Sequence, residues 1–410
     1  MNRNFAAFVW HSLFLALTLN MMDVNTVVPN LILESGGSAL HLGLLTAILI
    51  GGTNVMQLVF AGVLMNRNRK KPYLILGITL RIAALALLGF FLLSSAQKAP
   101  GSAGGFRIAG ILLIMAVFSF SGSFASISYM DILGRAVEPE RRKRFFVIKQ
   151  TASSIGVILS ALAVRLVLGR FSYPANYSIL FMTAAALLAV ASLGFWAVRE
   201  PAAPDAALRS RLTPGVFLRV FREDPNLRKY LLMVNTAGIT MAFLPFLVSL
   251  AGVSFGLSGG QTGNYLLLQM TGALATNLIL NTLPKSQKYR GILYYFVITG
   301  ALLPPAALLL RHIPSVFPFL FLLSGSVLTA YQVAVPGILL EISDDRNRTV
   351  YTGISGAASL AGLIYPILAG FLITRIGYAP VFGITAGVIL SGMLPASRIV
   401  CARLAEGPPA

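Results

Sequence analysis

Long apolar stretches alternate with short polar gaps along the whole chain. A helix needs about 20 apolar residues to cross the hydrocarbon core of a bilayer, and a dozen stretches of roughly that length follow one another here. We therefore predict an all-α integral membrane protein with twelve transmembrane helices. The predicted spans are 8–31, 42–64, 73–93, 106–133, 145–168, 179–198, 231–253, 262–283, 292–310, 316–340, 350–373 and 381–394.

Basic residues fill mainly every second gap. Clusters lie at 67–71, 135–149, 199–229 and 285–290, whereas the alternate gaps carry few. Loops rich in Lys and Arg stay in the cytoplasm, so both termini are expected there. We expect a multi-pass protein of the plasma (bacterial inner) membrane.

The formal net charge of +19 comes mainly from the basic residues in these alternate gaps. Basic residues beside a membrane attract anionic lipids at the cytoplasmic face, and such lipids are the partner expected here. No basic face with interleaved aromatic residues occurs away from the membrane junctions, so a nucleic-acid partner is not expected.

The longest polar stretch divides the chain into two parts. We predict a first six-helix bundle at 1–198, a cytoplasmic linker with an amphipathic helix at 199–229, and a second six-helix bundle at 230–410. The linker helix is expected to lie at the membrane interface.

The two parts also share a pattern. Ser-Gly-Ser occurs at 121–123 and a basic run follows at 142–144; Ser-Gly-Ser recurs at 324–326, with a basic run at 346–348. This repeat predicts two pseudo-symmetric bundles, and such repeats place a binding site between the halves near the bilayer midplane.

Two loop motifs resemble those of a known family. Gly62 begins a segment similar to the signature G-x-L-a-D-r-x-G-r-k, in which Asn66 replaces the acidic residue and Arg67 matches the basic one. Asp131, followed by Pro-Glu-Arg-Arg at 139–142, resembles the family's aspartate-to-P-x-x-R-R run. Over nearly its whole length the chain thus resembles the major facilitator superfamily.

That resemblance implies a secondary active transporter that works by alternating access, with these loops acting as a cytoplasmic gate. Asn66 can form hydrogen bonds but no ion pair, so the gate is expected in weakened form. The residues carried over to the gate are Gly62, Asn66, Arg67, Asp131, Arg142 and Arg346.

Ionisable residues inside a membrane are costly and usually face a cavity or a partner. Asp23 forms a polar stripe with Asn20 and Thr26 on the first helix. It either binds substrate or protons, or is a helix-end aspartate hydrated from outside. Arg81 lies nine residues beyond Pro72, about 14 Å from the cytoplasmic end. It needs an acidic partner or an anionic group of the substrate.

Uncharged polar side chains complete the expected cavity and favour a polar neutral or amphipathic small molecule as substrate. The predicted substrate and coupling residues are Asp23, Arg81, Asn20, Gln57, Asn235 and Gln269.

Other functional classes have little support. The chain has one cysteine and three scattered histidines, so neither a catalytic pair nor a metal site is predicted. It also lacks the phosphate-binding G-x-x-x-x-G-K-[ST] loop. We expect a monomer without cofactors that is not an enzyme. The alternative is a non-transporting receptor or scaffold on the same fold.

The topology can be tested by cysteine labelling in a variant with Cys401 replaced by serine. Cysteines at Ser102 and Gly259 should react with an impermeant reagent added to intact cells, whereas a cysteine at Ser210 should not. Labelling of position 210 from outside would contradict the cytoplasmic placement of the linker.

Overall fold

The computed structural model describes residues 3–65, 67, 69–96, 103–136, 139–200, 220–282, 289–343, 351, 354–356 and 359–400. Regular structure in these ranges is helical. The helices are α1 (Arg3–Glu34), α2 (Ala39–Thr46, a π-helical turn Ala47–Gly51, then Gly52–Met65), α3 (Lys71–Ala96), α4 (Ala103–Ala136), α5 (Pro139–Arg170), α6 (Ala175–Ala197), α7 (Pro225–Phe255), α8 (Gly259–Thr282), α9 (Tyr289–Leu310), α10 (Phe319–Ile342), α11 (Ala361–Ile376) and α12 (Tyr378–Arg398).

Eleven of the described helices are long and apolar enough to cross a membrane. The remaining one, α8, is 24 residues long. At the standard rise it extends about 36 Å, enough to span, but it carries more amide side chains than its neighbours. The sequence-based helices agree with this architecture. Of the predicted linker helix, only residues 220–223 lie within the described part.

Apolar side chains cover much of the outer surface of the bundle. Leu166 is 71% exposed, Val253 72% and Leu309 77%. Apolar exposure on this scale is costly in water and favourable in hydrocarbon. The surface therefore fits a protein whose helices are surrounded by lipid.

The repeated Ser-Gly-Ser motifs occupy equivalent positions in the two halves, α1–α6 and α7–α12. Ser123 of α4 donates a hydrogen bond to the carbonyl of Thr53 in α2, at 3.0 Å. Thr276 of α8 donates to Ser326 of α10, at 2.6 Å. The fourth helix of each half thus contacts the second helix through the same motif, which supports the expected pseudo-symmetry.

The two ends of the bundle differ. We call the end where α2 is followed by α3, and α4 by α5, the basic end, because Arg67, Arg69, Lys70 and Lys71 lie there. The opposite end, where α1 is followed by α2 and α7 by α8, is called the far end.

Backbones of the two halves meet toward the far end. A Cβ atom added to Gly43 of α2 would collide with the carbonyl oxygen of Pro366 in α11. A Cβ atom added to Gly263 of α8 would lie only 2.6 Å from the Cα of Arg165 in α5. Only glycine permits such an approach, as in other close helix pairs within membranes. The halves are therefore held together there by direct backbone packing.

Gly43→Ala should lower the thermal stability of the purified protein. The carbonyl of Pro366 belongs to a helix backbone and cannot move aside, and overpacking at such sites typically costs about 1–3 kcal/mol. Thermal unfolding in detergent measures the effect. The matched control is Gly387→Ala on α12, where an added Cβ would meet nothing within 4 Å. Equal stability of the two variants would contradict close packing at Gly43.

Candidate functional site

A cavity of about 470 Å³ lies between the two halves, halfway along the helices. Its walls come from α1 and α5 of the first half and from α8 and α10 of the second. The lining residues are Leu19, Asn20, Met22, Asp23, Val24, Asn25, Gln150, Ser153, Ser154, Val157, Ile158, Met270, Ala273, Leu274, Asn277, Leu328, Thr329 and Gln332. We call this the central cavity.

Helix α1 is interrupted where it borders the central cavity. Its first segment ends at Leu19, a 3₁₀ turn covers Asn20–Met22, and the helix resumes at Val27. Asp23 Oδ1 accepts hydrogen bonds from the backbone N–H groups of Asn25 and Thr26, at 3.0 and 2.8 Å, and from the Thr26 hydroxyl at 2.8 Å. The carboxyl group therefore satisfies donors that the break would otherwise leave unpaired.

The prediction that Asn20, Asp23 and Thr26 form one continuous polar stripe is therefore wrong in detail, because the helix is interrupted at Asp23. An aspartate side chain competes with the helix for nearby N–H groups and favours a turn. Asn20 and Asp23 still line the central cavity, but Thr26 is fully buried and bonded to Asp23.

Asp23 is the ionisable side chain of the central cavity: among the described lining residues no other Asp, Glu, Lys, Arg or His occurs. Asn20 donates from Nδ2 to the carbonyl of Val157 at 2.6 Å and to the Ser160 hydroxyl at 2.9 Å. These bonds fix the wall of α1 to α5 next to the carboxyl group. The remaining walls combine hydroxyl and amide groups with apolar side chains.

Helices α5 and α8 pack against each other on one side of the central cavity. They touch near the far end, where a Cβ at Gly259 would lie 2.7 Å from the carbonyl oxygen of Leu168. Farther from that end they form opposite walls of the central cavity. The packed backbones thus join the two halves between the central cavity and the far end.

Three other predicted site residues lie away from the walls of the central cavity. Asn235 accepts from the backbone N–H of Ala361 at 3.0 Å and so links α7 to α11. Gln269 is fully buried in α8, and neither amide atom has a hydrogen-bond partner among the described residues. Gln57 is half-buried on α2. The structure therefore brings together Asn20 and Asp23 of the six and not these three.

Arg81, the sixth, is held inside the first half. Its guanidinium carbon lies 4.2 Å from the centre of the Phe118 ring in α4. Gly122 leaves space for it, since an added Cβ there would be 3.4 Å from the same guanidinium. Within the described part of the chain, Arg81 Nε is buried without a hydrogen-bond partner.

The loop at the basic end is fixed by charges within the first half. Lys70 forms an ion pair with Asp131, N to O 3.0 Å. Glu200 accepts hydrogen bonds from the backbone N–H groups of Lys70 and Lys71, at 2.7 and 3.1 Å. Sequence reasoning selected Asp131 but missed Lys70 and Glu200, although both lie beside predicted helix ends.

The other predicted gate residues lie largely outside the described part of the chain. This holds for Asn66 and Arg346, and of Gly62 and Arg142 only the helical backbone is described. Arg67 is exposed.

The sequence analysis also missed several residues that line the central cavity. Ser153 and Ser154 follow Gln150 by about one helical turn, and all three line the central cavity. Asn277 lies eight residues after Gln269 in α8, and Thr329 lies three residues before Gln332 in α10. Polar side chains that recur after about one or two helical turns on α5, α8 and α10 were the signal that would have found these residues.

Two bundles of membrane-spanning helices with a cavity between them, halfway along the helices, are the arrangement found in transporter folds built from internal repeats. The sequence model described as Major Facilitator Superfamily matches residues 13–308. The chain therefore belongs to this superfamily, and it is a multi-pass membrane protein with a transporter fold. No curated protein matches the sequence significantly.

Solved structures agree on the fold. A POT family transporter in complex with 5-aminolevulinic acid has a TM-score of 0.69 at 11% identity, over 99% of this chain and 97% of that one. A point mutant of the nucleoside transporter NupG has a TM-score of 0.65 at 14% identity, over 97% of this chain and 99% of that one. The xylose transporter XylE from E. coli, in an inward open conformation, has a TM-score of 0.64 at 13% identity, over 97% of this chain and 95% of that one.

The cap formed by Asp23 can be separated from its charge. Asp23→Asn retains a carbonyl oxygen for the N–H groups of Asn25 and Thr26, so its thermal stability should stay close to that of the parent. Asp23→Ala removes the acceptor and should cost about 1 kcal/mol, as at other helix caps. Thermal unfolding of both variants tests this. Equal stability of the Ala variant and the parent would show that the cap is dispensable.

Proposed function

We propose that the protein is a secondary active transporter that moves a small organic solute by alternating access. The observation that carries the proposal is the central cavity, which is shared by both halves. Its volume of about 470 Å³ lies within the roughly 300–1,000 Å³ typical of small-molecule sites. Transport then requires the two halves, with proposed boundaries 1–198 and 230–410 and a linker between them, to move relative to one another.

The orientation follows from the charges. Lys and Arg concentrate at the basic end, and the rule for basic loops places that end in the cytoplasm. The proposed location is the plasma membrane, and both termini then lie in the cytoplasm. Because the halves are packed together at the far end, we infer an inward-facing conformation. The outward-facing state needs the contacts of Gly43 and Gly263 to separate.

The ion pair at the basic end supports a gating role for the loop motifs. Lys70 and Asp131 belong to the same half, so in this conformation the pair organises the loop without joining the halves. The proposed gate closes when that loop meets the second half. Such a change is a movement of rigid bundles, for which a loop fixed by an ion pair is suited.

Asp23 is the proposed proton-coupling residue. Oδ1 accepts all three of its hydrogen bonds, and Oδ2 makes none with the described residues. A proton can therefore bind Oδ2 without disturbing the cap. Binding and release of that proton would follow the change in exposure as the cavity opens to one side and then the other.

A non-transporting receptor or scaffold is the competing function. A thermal-shift screen of solutes identifies ligands, because a ligand that binds only the folded protein raises its stability. Flux of such a ligand into proteoliposomes then decides between the two. Binding without flux in a verified reconstitution would contradict the transport proposal.

Asp23→Asn should abolish accumulation driven by a pH gradient while exchange of solute across the membrane continues. The amide mimics the protonated carboxyl group but cannot release a proton. Uptake and counterflow in proteoliposomes measure the two activities. The matched control is Asp224→Asn, because Asp224 also caps a helix, accepting from Asn226 N–H at 2.7 Å, but lies outside the central cavity. Gradient-driven accumulation by the Asp23 variant would assign coupling elsewhere.

A further inference from the structure

A second cavity, of about 510 Å³, lies where the two halves meet near the far end. Both halves line it. The first half contributes Arg165 of α5, and the second contributes Gln261, Asn264 and Leu268 of α8 with Ser315 and Phe319 at the connection from α9 to α10. We call this cavity the outer groove.

The outer groove lies on the side of α8 that faces away from the central cavity. Asn264 and Leu268 line the outer groove, whereas Ala273 and Asn277, each nine residues later, line the central cavity. Successive residues of an α-helix are about 100° apart, so nine residues correspond to about 180° around the axis. The two cavities therefore lie on opposite faces of α8, and the outer groove opens toward the surroundings of the bundle.

The same face of α8 continues toward the bilayer midplane as an exposed surface. Leu278 is 60% exposed, and the smaller side chains of Thr271 and Ala275 on this face are exposed too. From Asn264 to Leu278 the face extends about 21 Å, more than the roughly 15 Å that one leaflet contributes to the hydrocarbon core. It is therefore long enough to contact a lipid acyl chain over the full depth of a leaflet.

Polar side chains line the outer groove close to the far end. Arg165 lies five residues before the end of α5 and Asn264 five residues after the start of α8, so both are about 7.5 Å from the far end of their helices. Within the described part of the chain, neither side chain forms a hydrogen bond or an ion pair. Gln261 Oε1 accepts from the backbone N–H of Ser258 at 2.8 Å, which leaves the Nε2 donors for a ligand.

The outer groove is positively charged. Arg165 carries the only formal charge among its described lining residues, so no carboxylate is available there to pair with the guanidinium. A guanidinium binds a phosphate group through two parallel hydrogen bonds. An amine in the same headgroup would find no acidic partner in the groove. An anionic headgroup therefore fits better than a zwitterionic one.

We propose that the outer groove binds an anionic phospholipid from the leaflet at the far end. Arg165 and Asn264 hold the phosphate group, Gln261 and Ser315 offer hydrogen bonds to the rest of the headgroup, and an acyl chain lies along the exposed face of α8. This site is distinct from the basic loops at the opposite end of the bundle, where anionic lipids are expected from the sequence.

A lipid in the outer groove contacts both halves at the point where their backbones meet. A Cβ atom added to Gly263 would lie 2.6 Å from the Cα of Arg165, so the Arg165 side chain starts at this contact. Separation of α5 from α8 would split the phosphate site between the halves. A ligand that binds one conformation more tightly shifts the population toward it. The lipid therefore stabilises the conformation in which the far end is packed. This stabilising role rests on the proposed alternating-access function, whereas binding can be measured without it.

The binding test adds dioleoyl phosphatidylglycerol to the purified full-length protein in a neutral detergent and follows thermal unfolding. Three comparators each lack one feature: dioleoyl phosphatidylcholine carries its own cation, dioleoylglycerol has no phosphate, and glycerol 3-phosphate has no acyl chains. Phosphatidylglycerol should raise the unfolding temperature saturably and by more than each comparator. An equal shift with any comparator, or no shift with phosphatidylglycerol, would overturn the proposal.

Arg165→Gln should weaken the binding of phosphatidylglycerol about tenfold, the loss expected when a charged hydrogen-bond donor is removed. The matched control is Arg170→Gln, because Arg170 is exposed on the same helix at the same end but does not line the outer groove. Lipid bound at the basic end contributes equally to both variants. If Arg165→Gln fails to fold, Asn264→Leu takes its place. Equal affinity of the groove variant and the control contradicts the proposal.

The stabilising role is tested by the distance between spin labels on cysteines at Phe171 and Val253, which are exposed near the far end in different halves. Phosphatidylglycerol should reduce the population with the longer distance in Arg170→Gln and leave it unchanged in Arg165→Gln. Binding through Arg165 with no change in distances would show that the stabilising role is wrong.

Flux measurements separate this proposal from the transport function. If phosphatidylglycerol binds through Arg165 but no solute crosses the membrane, the outer groove stands as a lipid site and the transport function fails. If a solute is transported while the lipid binds equally to Arg165→Gln and Arg170→Gln, the transporter stands and the lipid site is wrong.

Discussion

Direct backbone contact between the two halves is the constraint on which the remaining arrangement depends. At Gly43 and Gly263 no side chain separates the helices, so the far end cannot open by rearranging side chains. The contact at Gly263 joins α5 and α8 near the far end, and farther along the same two helices form opposite walls of the central cavity. Because lipid supplies no hydrophobic drive between helices, such close packing is a main source of association in the membrane. Separation of the halves must therefore be compensated by equivalent contacts at the other end.

Most of the fold could be predicted from the sequence, because hydrocarbon imposes one dominant requirement on every span. Backbone polar groups must be satisfied within the segment, which leaves the helix as the solution. Hydropathy therefore located the helices. Helix α8, where amide side chains dilute the apolar pattern, is helical as predicted but is not among the eleven that are long and apolar enough to cross a membrane. The break in α1 could not be located in the same way. It depends on whether the Asp23 carboxyl group binds its own backbone, and the same apolar sequence is compatible with a continuous helix.

The candidate site was only partly predictable, for a related reason. Polarity alone marks residues that need a partner, and partners of several kinds satisfy that need. Asn235 finds a backbone N–H of α11, whereas Asn20 bonds to α5 and still borders the central cavity. In the sequence, Lys70 is one basic loop residue among several, and only the structure shows that it forms an ion pair with Asp131. Choosing between these outcomes requires the packing of neighbouring helices, which a single sequence does not contain.

The π-helical turn in α2 changes how spacing in the sequence corresponds to the faces of that helix. It covers Ala47–Gly51, between the segment that contacts α11 and the segment that contacts α4. A π turn accommodates one residue more than an α turn in the same rise. Because the extra residue is absorbed within the turn, the segment that carries Gly43 and the segment that contacts α4 keep nearly the relative orientation of an uninterrupted α-helix. Helical spacing counted in the sequence across this turn, for example from Gly43 to Gln57, is therefore displaced by one residue, or about 100°.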